Sequence, residues 1–274
     1  MTAVAAELSK LPAFLRRDFL VAWSYRMSFF SDFIALATQM FVFAFIGRLV
    51  SDNQLPSYNG AATTYVEFVA IGLVVNLFVQ IALTRTATAI RTEQMIGTLE
   101  ALLMTPTATA TVQIGSAVFD LVYVPIRTAI FLGFLALVVG LDLHASGILP
   151  SAAILLAFIP FVWGLGLVGA GAILTFRRGD GGMMIGATLL GLASGAFFPL
   201  ALLPDWIQDV AEYNPLAIAI QGMREALLGG TGWSEVGGHV ALLIPMSVLS
   251  LLGGALVFKL ALGRERRRGT LGLY

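Results

Sequence analysis

One apolar stretch of the chain contains charged and polar side chains at helical spacing, and such residues could bind a ligand inside a membrane. Asp120 and Arg127 are seven residues apart, and Gln113 lies seven residues before Asp120. Because seven residues make about two helical turns, all three fall near one helix face. Ionisable residues in membrane helices usually face a bundle interior or a water-filled pathway. The pattern predicts either a transport pathway or an internal Asp120–Arg127 contact that neutralises both charges.

Two more polar stripes occupy neighbouring apolar stretches of the chain. They consist of Ser28, Asp32 and Gln39 in the first stretch and of Asn76, Gln80 and Thr84 in the second. Each stripe shares one broad helix face, so the two could line a common cavity. The same side chains could instead form hydrogen bonds between helices, worth about 1 kcal/mol each in a bilayer. The candidate pathway residues are therefore Asp32, Gln39, Asn76, Gln80, Asp120 and Arg127.

The composition argues against the common kinds of catalytic site. A phosphate-binding P-loop needs a lysine directly after its glycine-rich turn, and the chain has lysine only at positions 10 and 259. There is no cysteine, and the two histidines are far apart, which argues against thiolate chemistry and a metal centre. We expect no catalytic residue, no metal and no cofactor bound by this chain.

The elements that position the candidate residues are long apolar helices. Hydrophobic residues make up 58% of the 274 positions and charged residues 12%, about half the charge of a typical soluble domain. Six apolar runs reach the roughly 20 residues that a helix needs to cross a bilayer. They lie near residues 27–50, 64–84, 109–140, 148–175, 183–203 and 236–262. The sequence predicts an all-α membrane protein with six spans in a single transmembrane domain, 1–274.

Basic residues predict the orientation of these spans. They cluster before span one, after spans two and four and in the tail, whereas the alternate connections are mostly acidic, with Arg48 and Arg224 as their cations. By the positive-inside rule, both termini are expected in the cytoplasm and the protein in the cell membrane. Glycines at two- to five-residue spacing within span four, from Gly164 to Gly171, and within span five, from Gly182 to Gly195, predict close helix packing.

Three segments between or before the spans are too apolar for free loops. Residues 5–26 form an amphipathic pattern, expected as a cytoplasmic interface helix that either lies on lipid or meets a cytosolic partner. Residues 85–108 contain a second amphipathic helix, which either lies among lipid headgroups or docks into a groove on another protein. Residues 199–232 are apolar but interrupted by prolines, which predicts re-entrant external helices between spans five and six.

Two of these segments carry a family resemblance. EQMIGTLEALLMTP, residues 93–106, resembles the E-x-x-x-G-T-L-E-x-L-L-x-T-P signature of type-2 ABC transporter permeases. FFPLALLPDWIQDVAEYNPLAIAIQGMRE, residues 197–225, is similar to the second characteristic region of that family. Together with LRRDFLVAWSYRM before span one, the resemblance covers nearly the whole chain.

The resemblance implies roles for particular residues. Residues 93–103 correspond to a cytoplasmic coupling helix that docks into a separate ATPase subunit, and the interface helix abuts the same subunit. The residues implied at this interface are Glu93, Gly97, Thr98, Leu99, Glu100, Arg16 and Arg17. The external helices would cap the exit of the pathway. Phe197 and Phe198, near the outer end of span five, are candidate gate residues, with ordinary packing as the alternative.

The resemblance also implies partners and a function. Family members work as two permease subunits with two ATPases, so that ATP and magnesium belong to the ATPase. We expect a homodimer in contact with membrane lipid, and no nucleic acid partner. The expected function is ATP-driven export of an amphipathic or hydrophobic drug, antibiotic or lipid. The alternatives are export of a lipid-linked polysaccharide, a membrane-embedded transferase, and a non-transporting sensor or scaffold subunit.

Overall fold

The computed structural model describes residues 12, 16, 19, 20, 24, 26–49, 55–60, 62–96, 109–176 and 180–268. This part of the chain is all-α, as predicted, with eight α-helices and two 3-10 turns. The helices are α1 (Arg26–Gly47), α2 (Tyr65–Ile96), α3 (Thr109–Val139), α4 (Ile148–Phe176), α5 (Asp180–Leu192), α6 (Asp205–Glu212), α7 (Pro215–Leu227) and α8 (Trp233–Arg268). The 3-10 turns are Ala145–Gly147 and Leu200–Leu202.

Several of these helices are apolar enough for a bilayer. Three helical stretches in the described residues have the length and composition to cross one: Phe30–Gly47, Ala145–Thr175 and Trp233–Glu265. Shorter apolar helices are Tyr65–Ile81, Tyr123–Val139 and Gly182–Leu192. Large apolar side chains along α1 and α8, such as Phe41 and Leu249, remain exposed. Because such surfaces are unfavourable in water, the helices require an apolar solvent, which is the lipid of a membrane.

α5 is shorter than the predicted fifth span. The prediction extended an apolar run over 183–203, but α5 ends at Leu192, and the residues that follow form turns up to the Leu200–Leu202 turn. Gly195 has φ +68°, a conformation that glycine adopts without steric cost. A Cβ added there would also come within 2.9 Å of the Leu200 side chain. Hydrophobicity alone does not reveal this backbone reversal.

α2 is longer than the predicted second span. It begins with a capping box, in which the Thr64 backbone N–H donates to Glu67 Oε2 at 2.8 Å and the Glu67 N–H donates to Thr64 Oγ1 at 3.4 Å. The helix then continues for 32 residues, about 48 Å, whereas a hydrocarbon core is about 30 Å thick. The predicted coupling segment 85–108 therefore starts as a continuation of α2 through Ile96.

α4 lies at the centre of the bundle and packs against α2, α3, α7 and α8. The core between α2, α4 and α7 contains Phe68, Ile71, Phe158, Ile159 and Ile220, all nearly or fully buried. α7 is only 13 residues long and yet almost entirely buried. This short helix is therefore part of the core and does not lie loosely on its surface.

α4 and α8 make the most extensive helix pair in the described residues. Ser247 Oγ donates to the Ala157 carbonyl at 2.6 Å, and Ser250 Oγ donates to the Phe161 carbonyl at 3.0 Å. One turn further along, a Cβ added to Gly254 would lie 2.2 Å from the carbonyl oxygen of Gly164. Small residues on both helices thus bring the two backbones into contact, the packing expected in lipid.

The helix ends form two distinct ends of the bundle. The end that contains α7, which we call the α7 end, also holds α6, the last turn of α1 and the first turns of α2, α4 and α8. Two hydrogen bonds join the connections at this end: the His144 N–H donates to the Leu227 carbonyl at 2.8 Å, and Asn59 Nδ2 donates to the Gly229 carbonyl at 3.0 Å. The opposite end, which we call the tail end, contains the last turns of α2 and α8. Helical basic residues cluster toward the tail end at Arg85, Arg91, Lys259, Arg264 and Arg267, and acidic residues at the α7 end at Asp142, Asp205, Asp209, Glu212 and Glu235.

Candidate functional site

An ion pair joins α1 to α3 inside the bundle. Arg127 Nη2 donates to Asp32 Oδ2, and the two side chains are 13% and 26% exposed, respectively. The guanidinium carbon also lies 5.1 Å from the centre of the Phe131 ring and 5.9 Å from that of Tyr123. Aromatic faces attract cations, so these rings favour the charged arginine at this position. The sequence suggested Asp120 as a partner, but its side chain lies outside the described residues.

Aromatic packing around this pair holds α1 against α3. Phe33 packs edge-on against Phe131 and Phe134, with ring centroids 4.3 Å and 5.3 Å apart. Such contacts add about 1 kcal/mol each beyond the area they bury. The two described members of the predicted α1 stripe therefore have different environments. Asp32 pairs with Arg127 of α3, whereas Gln39 is exposed.

Asn76, in the polar stripe of α2, is directed toward α5. Asn76 is 3% exposed, and its Oδ1 accepts a hydrogen bond from Gln80 Nε2 at 2.7 Å. Its Nδ2 packs against Gly191 of α5, where an added Cβ would come within 2.2 Å. The structure therefore brings together Asp32 with Arg127 and Asn76 with Gln80. A common cavity between the stripes of α1 and α2 stays a prediction.

The two candidate gate residues have different environments. The Phe197 ring stacks on Phe43 of α1, with centroids 5.5 Å apart and an interplanar angle of 13°. The Phe197 carbonyl accepts a hydrogen bond from the Tyr65 hydroxyl of α2 at 3.1 Å. Phe198 is 43% exposed. Residues 193–199, which we call the α5–α6 loop, thus contact both α1 and α2 at the α7 end, and the gating role stays a prediction.

The predicted coupling residues are only partly covered by the structure. Glu93 lies in the last turn of α2, and Arg16 is helical and exposed. Gly97, Thr98, Leu99, Glu100 and Arg17 lie outside the described residues. Of the interface helix 5–26, positions 12, 16, 19, 20 and 24 are helical and exposed.

Arg224 of α7 was not predicted as a site residue, although it is the most deeply buried charged side chain in the described part of the chain, at 3% exposure. Its helix starts with Asn214, whose side chain accepts from the Leu216 N–H, followed by Pro215 at the first position. The cap begins α7, and the packing of this helix against α2 places Arg224 on its buried side. A lone arginine in an apolar, proline-broken segment was the signal in the sequence that could have identified it.

The remaining polar side chains of α7 form a second network. The Tyr58 hydroxyl donates to Gln221 Oε1 at 3.3 Å, Gln221 Nε2 donates to Glu225 Oε1 at 2.8 Å, and Glu225 Oε2 lies 3.2 Å from His239 Nε2 of α8. Burial raises the pKa of Tyr58, partly opposed by the nearby Arg224 guanidinium, so the hydroxyl stays a donor at neutral pH. Within the described residues, no three His, Asp or Glu side chains converge as metal ligands.

The fold and these sites together define a class of protein: a multi-pass α-helical membrane protein whose charged and polar side chains pair between helices. The family model described as ABC-2 type transporter matches residues 10–228. The chain therefore belongs to the ABC-2 type transporter family and is the permease component of an ABC transporter. A comparison with curated proteins found no match.

Proposed function

We propose that this permease is the membrane half of an ATP-driven exporter for an amphipathic or hydrophobic compound, either a drug or a lipid. The observation that carries the proposal is the family match over residues 10–228, which includes the coupling signature at 93–106. A separate ATPase subunit would bind ATP and magnesium. Two copies of the permease, paired as a homodimer in lipid, would supply the pathway between them.

The distribution of charge supports a six-span arrangement with both termini in the cytoplasm. Helical arginines and lysines cluster toward the tail end, and acidic residues of α6 and α8 at the α7 end. By the positive-inside rule the tail end faces the cytoplasm, in the cell membrane. The 199–232 region, with α6 and α7, then caps the external side as a re-entrant segment.

The length of α2 supports a mechanical connection to the ATPase. Because α2 is longer than the hydrocarbon core is thick, its last turns extend toward the cytoplasm and lead into residues 97–103. A rigid helix transmits a displacement at its cytoplasmic end to Asn76 and Gln80 in its middle. ATP-driven movement of the coupling segment would therefore change the packing between α2 and α5, where Asn76 meets Gly191.

A reversed or an added charge in the coupling segment tests the partnership with the ATPase. We expect Glu100→Arg and Leu99→Asp each to reduce the amount of co-purified ATPase at least about tenfold, since a misplaced charge in a docking groove costs more than about 1.4 kcal/mol. Glu235→Arg, in the first turn of α8 at the α7 end, is the control and should retain the ATPase. Normal retention by both coupling variants would refute the assignment.

Alanine substitutions in the polar stripes test the pathway. We expect Asn76→Ala and Gln39→Ala to change the concentration of transported compounds needed to stimulate ATP hydrolysis by about fivefold, the equivalent of one hydrogen bond of about 1 kcal/mol. Ser234→Ala, at an exposed position at the start of α8, is the control. Identical stimulation profiles over a panel of hydrophobic amines, drugs and phospholipids would assign both side chains to packing alone.

A further inference from the structure

Arg224 contacts three backbone carbonyls that belong to two other parts of the bundle. Its Nε and Nη2 donate to the Phe68 carbonyl of α2 at 3.0 and 2.8 Å. Nη2 also donates to the carbonyls of Gly195 and Ala196 in the α5–α6 loop, at 3.1 and 3.2 Å. The guanidinium carbon lies 3.4 Å from the centre of the Phe68 ring. One side chain of α7 therefore binds α2 and the loop after α5 at once.

These contacts explain how a charge is retained at 3% exposure. A guanidinium does not deprotonate in proteins, and a buried charge without partners would cost several kcal/mol. The carbonyls of Gly195 and Ala196 lie in the loop after α5, beyond the end of the helix at Leu192, and buried carbonyls outside a helix need another hydrogen-bond donor. Arg224 satisfies these oxygens, and they in turn replace the water that the guanidinium has lost.

The α5–α6 loop is also held by the Tyr65 hydroxyl of α2, which donates to the Phe197 carbonyl at 3.1 Å, and Arg224 adds hydrogen bonds to the two residues before Phe197. Gly195 at φ +68° interrupts the helical hydrogen bonding, and Ala196 packs directly on Gly72 of α2, where an added Cβ would lie 2.2 Å from the Ala196 carbonyl oxygen. Phe197 follows immediately and stacks on Phe43 of α1. A shift of α7 relative to α2 would withdraw Arg224 from the loop carbonyls and would weaken the attachment of the loop to α2.

We propose that Arg224 is a positioning residue that fastens the α5–α6 loop to α2 and so keeps Phe197 in contact with Phe43. On this view a displacement of α7 releases the loop and opens the phenylalanine contact. The gating consequence rests on the proposed transport function, because it takes Phe43 and Phe197 as the external closure of the pathway. The fastening itself does not depend on ATP or on a partner subunit.

Cysteine accessibility tests the fastening directly, since the chain has no cysteine of its own. Ser194→Cys places a thiol in the α5–α6 loop at a position that is 2% exposed and whose hydroxyl donates to the Gly191 carbonyl at 2.6 Å. Ala196→Cys places a second thiol in the loop, directly before Phe197, at a fully buried position, and keeps both phenylalanine rings. The rate of alkylation by N-ethylmaleimide is measured on the full-length chain in membranes, with no nucleotide present.

We expect both thiols to react slowly in the parent protein and at least about tenfold faster with Arg224→Gln. Arg224→Lys should give an intermediate rate, because a compact ammonium keeps the charge but does not span three carbonyls. If Arg224→Gln fails to fold, the rates measured with Arg224→Lys test the proposal instead. Arg48→Gln removes an exposed arginine that lies 5.1 Å from the Phe45 ring, and it should leave both rates unchanged.

Ser247→Cys distinguishes positioning from general support of the fold. Ser247 is also 2% exposed but lies at the α4–α8 contact. Its thiol should stay slow in every Arg224 variant. Equal acceleration at Ser194 and Ser247, unchanged rates at Ser194, or acceleration at Ser194 without Ala196 would each overturn the proposal. Because the ATPase is absent from this assay, loss of the coupling assignment and loss of this proposal give separate results.

Discussion

Replacing Asp32 with alanine is expected to destabilise the protein by about 2–4 kcal/mol, because the largely buried Arg127 guanidinium would lose the carboxylate that α1 supplies. The lower part of the range for buried pairs applies because Asp32 retains 26% exposure of its side chain. Arg127→Ala should destabilise the protein similarly, since it leaves the carboxylate unpaired and removes the contacts with Tyr123 and Phe131. Thermal and denaturant unfolding in detergent measure both effects.

A double-mutant cycle isolates the interaction within this pair. The double variant Asp32→Ala/Arg127→Ala should be less destabilised than the sum of the single variants, by about 1–3 kcal/mol. The charge swap Asp32→Arg/Arg127→Asp should recover part of the loss. Asp209→Ala, at an exposed position of α6, serves as the control and should change stability by less than about 0.5 kcal/mol. Additive single effects would mean that the two side chains do not stabilise each other.

Replacing Gly254 with valine is expected to have an effect of at least about 3 kcal/mol, at or above the upper range for overpacked cores. The new Cβ would meet the Gly164 carbonyl oxygen at 2.2 Å, and this obstacle is backbone that no side-chain rotation can move. α8 and α4 would have to separate along their shared face, which would also lengthen the Ser250 hydrogen bond to Phe161. The loss of stability is measured by unfolding in detergent.

The neighbouring residue provides a matched control for this prediction. Gly253→Val introduces the same side chain one position earlier in the same helix, where an added Cβ meets no atom within 4 Å. Its exposed apolar side chain would face lipid, so we expect a change below about 1 kcal/mol. Equal destabilisation by the two variants would show that helix propensity, and not contact with Gly164, controls stability here.

The sequence predicted that α4 packs closely against another helix, but it did not predict which helix. The glycine spacing of span four indicated that another backbone approaches Gly164. The sequence did not identify Gly254 and Ser250 of α8 as the partners, because small residues favour close approach to any helix that presents a complementary surface. Which helix becomes the partner depends on how all the helices are arranged in the bundle. α8 lies next to α4 although residues 177–232 separate the two helices in the chain.

The candidate site was predictable to a similar extent. Polar side chains in apolar helices marked Asp32, Arg127, Asn76 and Gln80 as candidate pathway residues, and the structure gives each of them a polar partner, from another helix for Asp32 and Arg127 and within α2 for Asn76 and Gln80, while the pathway itself stays a prediction. Helical periodicity, however, reports only which residues share a face. It related Arg127 to Asp120 in the same helix, which stays a prediction, and it did not identify Asp32 of α1, which lies beside Arg127 only because the two helices pack together. Arg224 was counted among the cations of the acidic connections, and its burial follows from the packing of α7 against α2 and the α5–α6 loop.

The sequence by itself determined the solvent, the family and the secondary structure of this protein. Composition requires lipid around the helices, the signature at 93–106 identifies the ABC-2 type transporter family, and apolar periodicity predicts helices wherever the structure describes these runs. Only the tertiary structure shows that α5 ends at Leu192, that an ion pair joins α1 to α3, and that Arg224 binds three carbonyls. The reason is physical: solvent preference and helix formation depend on neighbouring residues, whereas backbone reversals and buried charges are stabilised by groups that are distant in the chain.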